Sequence, residues 1–174
     1  MENLEVWMRG PVPEVPDLLQ PVAHVLLQIL EDLDRQLTAE DDTLLWVKPF
    51  GMASVGFHLL HMRGVIDRMF TYGREESLTE NQFEYLEQET MKHEELGVDE
   101  LLEALSYQVE QAIEQLKHSS AAALTATRYL GRKRIPTTLM GLLFHAAEHA
   151  QRHYGQLLVT IHCVRALQQQ RSIH

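Results

Sequence analysis

The chain has 174 residues, of which 45% are hydrophobic and 23% charged, and its formal net charge is −10 from 15 Lys+Arg and 25 Asp+Glu. This composition is typical of globular proteins, and the length predicts a single domain over residues 1–174 with a core of ordinary size. The acidic balance argues against nucleic-acid binding, because phosphate backbones attract basic surfaces and the one basic cluster, GRKR at 131–134, is short.

The cellular location is predicted from the single cysteine and from the absence of long apolar runs. Cys163 cannot form an internal disulfide, which fits a reducing cytoplasm. No run approaches the roughly 20 apolar residues that cross a bilayer, so we expect no membrane association. The N-terminal MENLEVWMRGPVPEVP is acidic and interrupted by prolines, unlike a signal peptide. We therefore predict a cytoplasmic protein that begins with a short irregular segment.

Hydrophobic residues recur at spacings of three and four along most of the chain, which predicts amphipathic helices. The first predicted helix is DLLQPVAHVLLQILEDLDRQL (17–37), with Pro21 in its first turn, where the missing N–H costs little. The second is ASVGFHLLHMRGVIDRMFTYG (53–73), with Ser54 as its N-cap and Gly73 at its end.

The middle of the chain is predicted to contain an acidic connector, a third long helix and a less regular stretch. A capping pattern from Ser77 to Glu80 predicts a short extra helix in the connector. The third long helix is DELLEALSYQVEQAIEQLKHS (99–119), with Asp99 as its cap. The stretch AAALTATRYLGRKRI (121–135) has the weakest helical pattern, and we predict a β-like excursion there.

The last long helix completes a predicted four-helix bundle. Pro136 and the two threonines after it mark its start, and the helix extends to roughly Leu167 before QQQRSIH frays. Four long amphipathic helices separated by long connectors predict an all-α four-helix bundle with long crossover connections.

Three histidines spaced four residues apart lie on this last predicted helix: His145, His149 and His153. Four residues are about one turn, so the three rings share one stripe of the helix. Small and apolar residues accompany His149 and His153 on that stripe, which indicates an inward face. Two imidazoles at i and i+4 can bind one metal ion from the same side. The alternative is a set of exposed or hydrogen-bonded histidines that bind nothing.

A third ligand is expected from the second helix, which offers His58 and His61 at i and i+3. Gly64 leaves an unfilled volume beside His61, which favours His61 as the ligand and His58 as a neighbour of the ligands. Three histidines leave at least one coordination position open, as in catalytic zinc sites. We expect His145 to pack beside the site and His24 to be exposed or at a subunit contact.

Other catalytic signatures are absent from the sequence. A ferritin-like di-metal site needs glutamate three residues before histidine on two helices, and no histidine here has that neighbour. Glu148 precedes His149 instead of following a first histidine, so the HExxH metalloprotease motif is missing. The chain also has no P-loop, GxGxxG or GxSxG motif.

The segment SVGFHLLHMRGVIDRMFTY, followed about ninety residues later by HAAEHAQRHYGQLL, resembles the DinB-like family. The resemblance extends from the first helix to GQLL, and HAQRHYGQ is a fairly specific pattern. It implies a four-helix bundle, usually dimeric, that binds a divalent metal through three histidines. Carried over position by position, these ligands are His61, His149 and His153. His61 is matched because the family's histidine lies seven residues after the serine that begins this helix, here Ser54.

The resemblance also implies an activity, because related proteins include mycothiol-dependent maleylpyruvate isomerases and bacillithiol S-transferases. We therefore expect a homodimeric, metal-dependent transferase that uses zinc or nickel, a low-molecular-weight thiol and a small-molecule substrate. A metal with an open position can hold a thiol as its thiolate near pH 7. Two alternatives stay open: a hydrolase that activates water at the same site, and a non-catalytic metal-binding dimer. Arg68, Tyr154 and Gln156 are interpreted as neighbours of the ligands.

Overall fold

The computed structural model describes residues 4–172, with side chains through residue 170. Within that range the chain forms five α-helices and one two-stranded hairpin, with short 3-10 turns between them. In chain order these elements are α1 (Gln20–Gln36), α2 (Val55–Gly73), α3 (Glu80–Gln88), α4 (Val98–Lys117), β1 (Thr127–Leu130), β2 (Ile135–Thr138) and α5 (Leu139–Ser172). The predicted all-α class is confirmed.

The bundle consists of α1, α2, α4 and α5. Helix α2 packs against α4 and α5, and α1 packs against the same two helices. Consecutive helices α1 and α2 are therefore not the main packing partners, and the connection between them crosses the bundle. Fully buried leucines from all four helices meet in one core, for example Leu26, Leu59, Leu105 and Leu143. No helix of the described residues is long and apolar enough to cross a membrane.

The predicted ends of α1 and α2 agree with the structure. Pro21 lies in the first turn of α1, where its missing N–H has no partner to lose. The Ser54 hydroxyl accepts a hydrogen bond from the backbone N–H of Phe57 at 3.2 Å, so Ser54 is the N-cap of α2. Helix α2 ends at Gly73, as the sequence predicted. These caps fix where α2 begins, and with it the turns that carry His58 and His61.

The short extra helix is confirmed as α3, but its cap differs from the prediction. Thr79, not Ser77, is the N-cap: its hydroxyl accepts from the N–H of Gln82 at 3.2 Å, and the Gln82 side chain accepts from the N–H of Thr79 at 2.9 Å. Gln82 also donates to the Thr71 hydroxyl on α2 at 2.8 Å. This tertiary contact is an additional reason for the later start of α3.

Helix α4 is capped from a distant part of the chain, and the prediction that Asp99 caps it is wrong. Gly97 is the N-cap, and Asp99 lies within the first turn. The backbone N–H of Val98 donates to a carboxylate oxygen of Asp42 at 2.7 Å, across 56 residues of sequence. The N–H of Gly97 donates to Glu100 at 3.0 Å. Two carboxylates therefore accept hydrogen bonds from two backbone N–H groups at this helix end.

The β-like excursion is confirmed as the hairpin of β1 and β2, which directly precedes α5. Pro136 pairs within this hairpin and does not begin the helix. The Thr138 hydroxyl accepts from the N–H of Gly141 at 3.0 Å and caps the start of α5. The helix continues past Leu167 to Ser172, because the glutamines there favour helix. Residues 1–3 and 173–174, which belong to the predicted irregular start and frayed tail, lie outside the described residues.

Candidate metal centre

The candidate metal centre lies where α2 packs against α5. His61 is on the second turn of α2, and His149 and His153 are on consecutive turns of α5. One nitrogen from each of the three imidazoles lies within 4.8 Å of the other two, and all three residues are partly buried. The structure therefore brings together the three histidines that the sequence singled out.

The nitrogens of this cluster face one another at close range. Nε2 of His61 lies 2.9 Å from Nε2 of His149, and the ring centroids of His61 and His153 are 4.4 Å apart. Nδ1 of His149 is buried and has no hydrogen-bond partner among the described residues. A buried nitrogen without a partner costs free energy, and imidazole is a preferred ligand of zinc, nickel, copper and iron. This donor set fits a transition metal.

The surroundings of His149 and His153 on α5 keep their rings neutral. Burial, followed by the neighbouring His61 imidazole, lowers the pKa of His149 to about 4 and that of His153 to about 3. Both rings are therefore uncharged at pH 7. Because imidazole must be neutral to bind a metal, the two α5 histidines are in the protonation state that ligation requires.

A buried glutamate orients His61. Nδ1 of His61 lies 2.7 Å from Oε2 of Glu89, which directly follows α3, and Oε1 of Glu89 accepts a hydrogen bond from Arg68 at 2.5 Å. An ionised carboxylate only accepts, so Nδ1 donates and Nε2 is left as the acceptor toward His149. Phe57 stacks on the His61 ring with centroids 5.3 Å apart. Carboxylates commonly hold metal-binding histidines in this way.

Gly64 makes room for this glutamate. A Cβ atom at Gly64 would lie 2.0 Å from Oε1 of Glu89 and 2.6 Å from Nη1 of Arg68. The prediction of an unfilled volume at Gly64 beside His61 is wrong, because the Glu89–Arg68 pair fills that volume. The interpretation of Arg68 as a neighbour of the ligands agrees with its contact with Glu89. The sequence pattern did not indicate Glu89.

His58 contacts one of the three clustered histidines. It is 3% exposed, and its Nδ1 lies 3.0 Å from Nδ1 of His153. Burial, followed by the nearby His61, lowers the pKa of His58 to about 4, so this ring is also neutral at pH 7. His58 is therefore a neighbour of the three clustered histidines, and one ring of the His58–His153 pair donates to the other and fixes its orientation.

His145 lies at the margin of the cluster, and its ring centroid is 5.1 Å from that of His149. Its Nδ1 is 2.8 Å from Oε1 of Glu148, and its side chain is 44% exposed. His145, Glu148 and His149 form a second possible donor group that shares His149 with the first. Glu148 also accepts two hydrogen bonds from Arg152, which compete for its oxygens. The second group is therefore less suited to metal binding than the group of His61, His149 and His153.

The other residues to which the sequence assigned a role, His24, Tyr154 and Gln156, lie apart from the cluster. His24 is partly buried, and its Nε2 lies 3.1 Å from the backbone oxygen of Gly10. Tyr154 is buried, and burial together with Asp32 of α1 raises its pKa, which places its hydroxyl toward α1. Gln156 is exposed. Neither Tyr154 nor Gln156 is placed as a neighbour of the three histidines by these contacts.

The fold and the cluster define a helical bundle with a candidate histidine metal site. The DinB superfamily model matches residues 18–157, a range that begins just before α1 and includes all three clustered histidines. The chain therefore belongs to the DinB superfamily, as the sequence resemblance indicated. A comparison with curated proteins found no match to this chain.

Proposed function

We propose that this protein binds one divalent transition-metal ion, zinc or nickel, through His61, His149 and His153 and uses it in a thiol-dependent transfer reaction. The observation that carries the proposal is the convergence of three imidazoles between two packed helices, with one nitrogen of each ring within 4.8 Å of the other two. Membership of the DinB superfamily supports metal binding at this position. Three protein ligands also leave a coordination position for a substrate.

The chemistry needs an ion that holds a low-molecular-weight thiol as its thiolate near neutral pH, which a metal with an open position supplies. The chain's own residues bind the ion and orient the imidazoles that hold it. Glu89 holds His61 through Nδ1, and His58 contacts His153. Phe57 stacks on His61 and also lies edge-on to His153, which shields these rings from water. The second reactant is a small molecule with an electrophilic carbon.

The thiol step is tested with the cobalt(II)-loaded protein, because cobalt substitutes for zinc and gives visible spectra. Titration with N-acetylcysteine is expected to produce a sulfur-to-cobalt charge-transfer band. The matched thioether, N-acetyl-S-methylcysteine, is expected to produce none. Bound cobalt without any such band at saturating thiol would contradict the thiol role while leaving metal binding intact.

Two outcomes would redirect the proposal toward the alternatives. Ester hydrolysis by the metal-loaded protein in the absence of thiol would favour a hydrolase that uses the same site. Metal-dependent thermal stability without an effect of thiol or substrate would favour a non-catalytic metal-binding protein. In either case the His149→Ala variant should lose the effect, since His149 is shared by every version of the site.

We also propose a cytoplasmic homodimer that acts on small molecules and contacts neither nucleic acid nor membrane. The acidic net charge of −10 supports the absence of nucleic-acid binding. Phe144 and Val159 expose large apolar surfaces on α5, and subunit contacts commonly cover such surfaces. Sedimentation equilibrium should give twice the chain mass, and a monomer at micromolar concentration would contradict the dimer.

A further inference from the structure

A cavity lies at the far end of α2, between the hairpin and the segment that joins α2 to α3. Its volume is about 360 Å³, within the range of small-molecule sites. Tyr72, in the last turn of α2, lines it and is eleven residues beyond His61, about 16 Å along the helix. The three clustered histidines do not line this cavity. It is therefore separate from the candidate metal centre.

Two arginines at the tip of the hairpin line this cavity and supply its unpaired positive charge. Arg132 lies over the ring of Phe83 at 5.0 Å, and Arg134 lies over the ring of Tyr129 at 4.2 Å. Neither guanidinium forms an ion pair within the described part of the chain. Both belong to GRKR, the one basic cluster of a chain whose net charge is −10. Aromatic rings thus position two cations without neutralising them.

The carboxylates that line the cavity have other partners. Glu76 pairs with Arg74 at 2.8 Å, and Glu75 lies 3.7 Å from Arg128. Arg128 also donates to the backbone oxygen of Gly73 at 2.8 Å, which fixes the hairpin on the end of α2. The cavity wall is therefore held together by its own ion pairs, and Arg132 and Arg134 keep their donors for another group.

The backbone around the cavity is strained at two non-glycine positions. Glu75 has φ 67° and Arg134 has φ 49°, in the left-handed region that residues with a Cβ atom rarely adopt. Both residues line the cavity. Strain of this kind persists where the surrounding structure imposes it and is concentrated at ligand sites. The two positions also end an element, since Glu75 follows α2 and Arg134 closes the turn between β1 and β2.

We infer that the cavity binds a small organic anion with a planar apolar body. The guanidinium groups of Arg132 and Arg134 bind its carboxylate or phosphate, because their planar arrays of donors match these anions. The apolar body packs against Tyr72 and Phe83. Arg128 closes the inner wall. This site is independent of the proposed metal chemistry.

The test is calorimetric titration of the full chain with phenyl phosphate and with benzoate, which present the two anionic groups on the same ring. Saturable one-to-one binding is expected for at least one of them. The Arg132→Gln, Arg134→Gln double variant should bind at least about tenfold more weakly, because charge-assisted hydrogen bonds are lost. The double variant changes Arg134, whose φ is positive, and so could disturb the hairpin. Arg132→Gln alone avoids that position and should still lose part of the binding affinity.

Lys133→Gln is the matched control, because it removes the same charge from the exposed residue between the two arginines, and Lys133 does not line the cavity. Its affinity should stay within about twofold of the unmodified protein. An equal loss in the control would overturn the site in favour of unspecific attraction. Absence of saturable binding with both probes would also overturn it, and so would inorganic phosphate that binds as tightly as phenyl phosphate. His149→Ala should bind the probes normally.

Discussion

The carboxylate of Glu89 lies 2.7 Å from Nδ1 of His61 and accepts a hydrogen bond from Arg68 through its other oxygen. This carboxylate ties the end of α3 to the face of α2 that carries the candidate metal centre. It is 2% exposed, so bulk water screens the contact little. The consequence is a His61 ring whose Nε2 is directed toward His149.

Replacement of Glu89 by glutamine should weaken metal binding about 10–100-fold, because carboxylate partners of metal-binding histidines contribute that much to affinity. The amide keeps the shape of the side chain but loses the charge that holds Nδ1 of His61 as the donor. Zinc competition against a coloured chelator measures the effect. Glu87→Gln, an exposed change two residues earlier in α3, is the control and should bind zinc normally. Equal affinities for all three proteins would show that Glu89 does not act on the site.

Gly64→Ala should weaken metal binding at least about tenfold, because the new Cβ atom would displace the carboxylate that orients His61. The same zinc competition measures this change. Gly155→Ala on α5 is the matched control, since a Cβ atom there meets nothing within 4 Å. The control should leave zinc affinity unchanged and raise the free energy of unfolding by about 0.5–1 kcal/mol. Normal zinc affinity in Gly64→Ala would mean that Glu89 and Arg68 can move without weakening zinc binding.

His58→Ala should still bind one metal ion per chain, but about 10–100-fold more weakly, because His58 positions His153 without joining the cluster. Zinc titration separates the number of sites from their affinity. His145→Ala tests the rival donor group and should change neither quantity. If His145→Ala lost the metal while His58→Ala kept it unchanged, the ion would lie in the group of His145, Glu148 and His149 instead.

Asp41 should make the stability of the fold depend on pH. Burial by itself raises the pKa of this carboxyl, but hydrogen bonds from Arg165 and from the N–H of Thr38 outweigh burial and hold the pKa below its usual value. A carboxyl whose pKa is lower in the folded chain stabilises the fold fully above its unfolded pKa, near 3.9. That stabilisation is lost as the pH falls through the folded pKa.

Asp41→Asn should therefore lower the free energy of unfolding by about 2 kcal/mol at pH 7, the usual value of hydrogen bonds to a charged group. The difference from the unmodified protein should shrink as the pH falls below about 4. Urea unfolding at a series of pH values measures both. Asp34→Asn, an exposed change on α1, is the control and should have little effect. A difference that stayed constant down to pH 3 would contradict the assignment.

The local part of the site was predictable from the sequence. His149 and His153 are one turn apart on one helix, so their spacing alone places them on the same stripe. His61 was harder, because α2 offers His58 three residues earlier, and the resemblance to the DinB-like family was needed to favour His61. The structure separates the two: Nε2 of His61 faces His149, whereas His58 contacts His153.

The long-range part was not predictable. Glu89 contacts His61 across 28 residues and lies in an acidic stretch where nothing in the pattern distinguishes it from neighbouring carboxylates. The cap that Asp42 provides to α4 across 56 residues could not be predicted for the same reason. One signal was available: Gly64 interrupts a helix one turn after His61, and such a glycine indicates close approach by another group. The sequence alone does not identify the approaching group as the Glu89 carboxylate.

The central claim is that His61, His149 and His153 together bind one metal ion. It is tested most directly by elemental analysis after loading with zinc or nickel and dialysis. The unmodified protein and His24→Ala should each retain about one ion per chain, and the alanine variants of the three clustered histidines should retain almost none. An unmodified protein that stays empty, or His149→Ala that retains one ion per chain, would contradict the claim.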